Sequence, residues 1–454
     1  MDSREPQRKW IVPLVLVPLG ALLAYWLVGN EIRAVQQHLV GFPDADPGAQ
    51  WLRPWLLGLA CFLPGVAGII YALSGIQDRY VYRLFVTSFG ICAGGLGAIW
   101  LITDLSDNLN DILRSSDPAG TLFIFYGVQF PTVAVFLLPY VLLLSVLYCL
   151  GKMSASREII SMIQTGRSVT RVVRPLILVG AIATAFCIIF NYHWAPSGEG
   201  QQKIILDSAL GRAPNQAENV LYYNETARRL WKIGAFPADP MLVAPLRNVV
   251  VTRMDKNRDL IARLHIPKAS WNRESQVWTF DGVEMVSFIK GEPPVITRLT
   301  EPLIVSDWSE TPWQLIKPGL AAPNLGIPDL HSWLLSNSEQ AWVNRRPYLT
   351  QWHYRWAQPF VCVITVLLAA PLGIVFSRRG ASGGIAVAIF LCAAMLLFSR
   401  VALAIGDAGY VQPVVAAWAT NIAFGTLALI LMQRRISGRP IYQTLKQLIP
   451  SADN

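Results

Sequence analysis

The sequence predicts an eight-span α-helical membrane protein with a β domain inserted on one side of the bilayer. Three observations predict it. Of 454 residues, 53% are hydrophobic and only 15% charged, against about 25% charged in ordinary soluble proteins, and the mean hydropathy is +0.40. Eight apolar runs reach the roughly 20 residues that a bilayer crossing needs. One long polar segment, 194–353, carries short alternating stretches instead. A purely soluble enzyme is excluded, and the net charge of +9 must be placed relative to a membrane before it is read as affinity for nucleic acid.

The runs lie at 10–29, 54–75, 84–103, 121–150, 172–192, 356–377, 383–404 and 411–432. The first follows Arg4, Arg8 and Lys9, is long, and lacks a small-residue cleavage site, so it reads as a retained anchor and not a signal peptide. With the N-terminus cytoplasmic, the pieces 1–9, 76–83, 151–174, 378–381 and 433–454 hold 16 Lys/Arg, whereas the short outside loops hold only Arg33 and Arg114. Because loop Lys and Arg orient helices, both termini are expected in the cytoplasm and 194–353 outside. The positive charge is then mostly a topology signal, and no nucleic-acid partner is expected. Pro64, Pro131, Pro139 and Pro371 fall inside runs, where neighbouring groups satisfy the freed carbonyls. Gly90, Gly94 and Ala98 share one helical face in the third run, a pattern that lets another helix approach closely. All six cysteines lie in apolar runs, which fits small buried hydrophobes and supplies no disulfide framework to the polar segment.

Segment 194–353 holds 17 Lys/Arg and 16 Asp/Glu, the balance of a soluble module. Its start, roughly 200–218, reads as polar and helical. Leu260, Ala262, Leu264 and Ile266 then alternate with Ile261, Arg263 and His265, the period of a half-buried strand. Val249–Val251, Val277–Phe280, Met285–Ile289 and Val295–Leu299 are further strands, separated by turn residues at 255–259, 281–282 and 291–294. Short, evenly spaced strands suggest a sandwich or jelly roll. A helix is expected at 329–338, after Pro328.

Catalytic signatures are missing. Gly151-Lys152-Met153-Ser154 has the lysine of a phosphate-binding loop without its glycine spacing. The five histidines are scattered without metal-ligand spacing, and the span interiors hold almost no carboxylates, which argues against an ion-coupled carrier. No cofactor, metal or catalytic residue is expected in this chain.

The loop at 151–174 is the most informative. Ile159, Met162 and Ile163 share a helical face, Glu158 opens the helix where the dipole favours a carboxylate, and Gly166 is placed to end it. Such a helix either lies in the membrane interface or plugs into a cytoplasmic partner.

From about Arg79 to Arg435 the sequence resembles the lipopolysaccharide-export permeases of the LptF/LptG (YjgP/YjgQ) family. The matching stretches occur in order: Arg79-Tyr80, Asp104 to Leu109, Phe136 to Pro139, Ser156-Arg157-Glu158, Gly166-Arg167-Ser168, Arg174-Pro175, Trp194-Ala195-Pro196, Val277-Trp278 and Gln358-Pro359-Phe360. The resemblance implies a six-span core plus two extra N-terminal spans, with an inserted periplasmic β-jelly-roll domain. The divisions are a hairpin at 1–78, core spans one to three at 79–193, the jelly roll at 194–353, core spans four to six at 354–435, and a cytoplasmic tail at 436–454. It also implies a half-transporter in the bacterial inner membrane. Two such permeases would pair with an LptB-like ATPase dimer, which holds the ATP and Mg, and hand lipopolysaccharide to an LptC/LptA-like periplasmic bridge. In that scheme 151–170 is the coupling helix, with Arg157, Glu158, Ile159, Met162, Ile163 and Gly166 as its docking residues and the three apolar ones filling the ATPase groove.

Two departures follow. The family's first core span often carries basic residues near its outer end, where this chain has Asp104 and Asp107. Arg400 is the candidate to meet lipid phosphate instead, since Arg binds phosphate bidentately; the other reading is that it snorkels to the interface. The extra hairpin packs at the periphery or occupies a lateral-gate position. An alternative to lipid export is a mechanotransmitter that couples the ATPase to a periplasmic partner.

Overall fold

The computed structural model describes residues 10–41, 46–211, 215–224, 227–238, 244–255, 259–272, 275–288, 293–316, 320–336, 342–374 and 382–436. The basic pieces 1–9 and 378–381, the tail from 437 on, Ile289 and the turn residues 256–258 and 291–292 lie outside them. Eight helices among the described residues are long and apolar enough to cross a membrane, and each overlaps one of the eight hydropathy runs.

Helices α1 (Ile11–Gly41) and α2 (Pro47–Leu73) form the N-terminal hairpin. Asp46 starts α2 by accepting the Gly48 amide at 3.0 Å, with Pro47 in the first turn. The helices meet through glycine: a Cβ at Gly20 would stand 2.5 Å from the Cys61 carbonyl oxygen, and one at Gly65 2.9 Å from Val17. Gly20→Leu is therefore expected to splay the hairpin, read as faster backbone amide exchange in α1 and α2, while Gly29→Leu, which meets nothing within 4 Å, should leave it intact.

The core spans begin with α3 (Ile76–Leu113) and α4 (Pro118–Ala155), each of 38 residues, or about 57 Å at 1.5 Å per residue. That is nearly twice the roughly 30 Å hydrocarbon thickness, so both project beyond it. A short helix α5 (Glu158–Gln164) links α4 to α6 (Val169–Tyr192). Leu142, Val146 and Leu150 of α4 and Val173, Leu176 and Cys187 of α6 are buried in the main core. Helix α7 (Trp194–Ala209) then leads into the β domain.

Strands β1 (Asn215–Asn224), β2 (Arg229–Pro237), β3 (Leu246–Met254), β4 (Leu260–Asn272) and β5 (Val277–Asp281) run as an antiparallel meander, followed by β6 (Glu284–Ser287), β7 (Val295–Arg298) and β8 (Leu303–Val305). On one edge β4 pairs β3. On the other, Ala262–His265 pairs β6 and Lys268–Asn272 pairs β5. The sheet therefore forks at Pro267, whose missing amide cannot serve a ladder. Ala262, Leu264 and Ile266 are buried and Ile261 and His265 exposed, as the alternation predicts; Leu260, at the strand end, is exposed. Trp231, Phe236, Val249, Val251, Trp278 and Phe280 fill the core, with the Trp231 and Trp278 ring centroids 5.4 Å apart. The inserted β domain is as expected, but β1, β2 and β8 are strands the sequence did not announce.

Helices α8 (Pro312–Ile316) and α9 (Ile327–Ser336) return the chain to the membrane. Helices α10 (Trp342–Ala357) and α11 (Val361–Gly373) make core span four, and α12 (Ser382–Ala408) and α13 (Pro413–Ile436) follow. Cys362, Val366, Ala369 and Ala370 of α11 complete the main core. Every cysteine is a free thiol.

Candidate functional site

At the elbow, α4 runs on through Gly151–Ala155, so the helix between spans is Glu158–Gln164, shorter than the expected 151–170. The chain reverses at Arg157, which sits at φ 58° in the left-handed region, and the Ser156 hydroxyl donates to Glu158 at 2.8 Å. Gly166, at φ 86°, ends the helix. Its amide donates to the Ile163 carbonyl at 2.9 Å and the Arg167 amide to Met162 at 3.3 Å, the paired bonds of a glycine-terminated helix.

The direction of the apolar face differs from expectation. Ile159 is 1% exposed, and Met162 and Ile163 pack half-buried against the chain's own membrane core. The apolar stripe is used to seat the elbow, and Ile159 has no surface for a partner's groove. The outward face is polar: Arg157, Ser161, Gln164 and Thr165 are exposed.

The C-terminal side of the elbow is tied to the first turn of α3. Asp78 is buried and accepts from Arg174 at 3.1 Å and from Arg167, which also donates to Gln77. Asp78 lies in the first turn of α3, where a carboxylate also complements the helix dipole. The sequence reading singled out the elbow but missed Asp78, whose partners lie 89 and 96 residues away.

Toward the β-domain end, Arg400 lines an open pocket of about 80 Å³ with Tyr140, Tyr354, Gln358 and Ser399. Asp104 is elsewhere, accepting from Gln129 at 3.2 Å between α3 and α4, and Asp107 is exposed. The structure therefore does not bring the two aspartates and Arg400 together. Gly90, Gly94 and Ala98 are exposed, and nothing lies within 4 Å of a Cβ built at either glycine. Among the described residues, no helix of this chain packs on that stripe.

A second polar centre surrounds Asp329 of α9, at the outer end of the hairpin. Gln50 donates to it at 2.9 Å, and the His38 and His193 rings approach its two oxygens at 3.7 Å. Burial alone would raise the Asp329 pKa; the neighbouring His193, His38 and Arg53 outweigh it and hold the carboxyl well below its ordinary value. Its stabilisation is thus present above the unfolded carboxylate pKa and lost as pH falls below the depressed one.

The sequence profile of the family described as Lipopolysaccharide export system permease LptF/LptG matches residues 79–434. The chain belongs to the LptF/LptG permease family. It is accordingly a multi-pass inner-membrane transport protein of the lipopolysaccharide-export type, not an enzyme. No curated protein matches the chain. The matched residues take in the elbow, the β domain and all six core spans of the permease, while the α1–α2 hairpin and Asp78 stand before them.

Proposed function

We propose that this LptF/LptG-family permease is one subunit of an ATP-driven exporter that extracts lipopolysaccharide, or a related glycolipid, from the inner membrane and passes it to a periplasmic bridge of LptC/LptA-like domains. A second permease and an LptB-like ATPase dimer complete the assembly. Both termini and the elbow lie in the cytoplasm and the β domain in the periplasm in this reading, which the Lys/Arg distribution supports. The observation that carries the reading is the elbow: a short helix seated by its apolar face, with its polar face outward and its C-terminal side tied to α3. Motion imposed on that face passes to the first core span through Asp78.

Docking therefore uses Arg157, Ser161 and Thr165 at the surface, with Glu158 beside them. Ser161→Cys in the full chain, labelled through its thiol with a maleimide–benzophenone reagent, is expected to photo-cross-link to the co-purifying ATPase by C–H insertion. Absence of a cross-link, with the ATPase present in the sample, overturns elbow docking. The uncovered Gly90, Gly94 and Ala98 face suits close approach of the second permease.

Arg400 is the proposed phosphate contact at the rim of a cavity completed by the second subunit, since its pocket is open on one side. Arg400→Ala is expected to lower lipopolysaccharide retained by the purified complex several-fold, with Arg400→Lys intermediate because lysine lacks the bidentate fork. Unchanged retention in Arg400→Ala removes Arg400 from the lipid path.

A further inference from the structure

The β domain joins the membrane core at two places, the exit at His193–Trp194 after α6 and the return through α9. The N-terminal hairpin, which lies outside the family match, holds both. At the exit, the Tyr192 hydroxyl donates to the Ala49 carbonyl at 2.8 Å and the Trp194 indole donates to Glu31 at 3.3 Å. At the return, Gln50 donates to Asp329, His38 stands 3.7 Å from the same carboxylate, and the Asp46 amide donates to the Ser332 hydroxyl at 3.0 Å. Within the hairpin, Arg53 pairs with Glu31 at 2.5 Å and donates to Gln50 at 3.0 Å. A continuous chain of bonds therefore runs from Trp194 through Glu31, Arg53 and Gln50 to Asp329, with the His193 ring 3.7 Å from the same carboxylate.

The polar groups of this chain are deeply buried: Gln50 is 0%, Arg53 5% and Asp329 7% exposed. Such a network cannot open one contact at a time without leaving a buried charge or amide unsatisfied. Hydrophobic contacts extend it outward. Val35 of α1 is buried, and Leu39 packs against the core of the β domain itself.

We propose that the N-terminal hairpin is a strut, bolted by the Asp329-centred network, that fixes the base of the β domain to the end of the third core span. The hairpin, the end of α6, the start of α7 and α9 then form one mechanical body. A peripheral anchor would need none of these bonds, because glycine packing already holds α1 to α2. The strut is independent of the proposed ATPase coupling and is tested without it.

The test is hydrogen–deuterium exchange by mass spectrometry on the full chain in lipid nanodiscs, comparing the unaltered protein with Asp329→Asn and with the milder Gln50→Leu. Opening of one body exposes all its parts together. Exchange in 50–57, 193–200 and 327–336 is expected to rise in concert, by about tenfold, while β3 and β4 are unchanged. A rise confined to 327–336, or no change in either variant, overturns the strut. If Asp329→Asn does not fold, Gln50→Leu decides, since it changes no charge and the same three-segment pattern is required of it.

Discussion

Asp78→Arg is expected to abolish lipid export while the ATPase still co-purifies. The Asp78 carboxylate is the common acceptor for Arg167 and Arg174, whose side chains are 12% and 64% exposed. Arg174 is largely screened by solvent and counts for little. Arg167 is not, and replacing its acceptor by a third cation leaves buried like charges facing each other. Removing one partner of a buried pair typically costs about 3–5 kcal/mol, enough to free the end of the elbow from α3. The elbow's seat against the core, through Ile159, is untouched, so docking should survive. The exchanged double variant Asp78→Arg with Arg167→Asp is expected to recover export in part, because it restores one buried pair in reversed order. Normal export in Asp78→Arg would show that α3 receives no motion by this route.

Glu310→Ala is expected to unfold the β domain near physiological temperature. Glu310 is 0% exposed, accepts from Arg229 at 2.8 and 2.9 Å and from Asn224 at 2.9 Å, and its backbone carbonyl takes the Trp278 indole hydrogen at 2.8 Å. Truncation strands the Arg229 guanidinium, which lies 4.7 Å from the Trp308 ring centre. A loss of about 3–5 kcal/mol is a large share of the roughly 5–15 kcal/mol that holds a domain folded, and lowers the melting temperature by about 10–20 °C. Tryptophan fluorescence of the full chain reports it, since Trp231, Trp271, Trp278 and Trp308 cluster in that core. Glu310→Leu with Arg229→Met should be far milder, because no unpaired charge remains. A melt shared by the single and double variants would mean that side-chain volume, not the ion pair, holds the site.

What could be read beforehand follows a physical rule. The spans were legible because a bilayer demands about 20 apolar residues in sequence, and the central strands because burial on one face enforces alternation at 260–266. Strand β1 was not, since Asn215, Gln216 and Glu218 mask its pattern, and β8, at three residues, is too short for a period. At the elbow, spacing gave the apolar face and Gly166 the stop, but nothing local says whether that face meets the chain's own core or a partner. The Asp329 network was invisible for a different reason. Gln50 and Asp46 lie 279 and 286 residues from their partners Asp329 and Ser332, and only the path of the whole chain brings His38 and His193, which looked scattered, to one carboxylate.

The pairing of Arg53 with Glu31 inside the hairpin bears on how the molecule is made. Chains emerge from the ribosome N-terminus first, so α1 and α2 reach the bilayer long before α9 exists. Asp329, the acceptor that completes the network, is translated some 280 residues later. The Arg53–Glu31 pair and the Gly20 and Gly65 contacts lie wholly within the hairpin and need nothing translated later. The hairpin is thus suited to wait as a finished unit, keeping a socket open for the last part of the β domain to arrive.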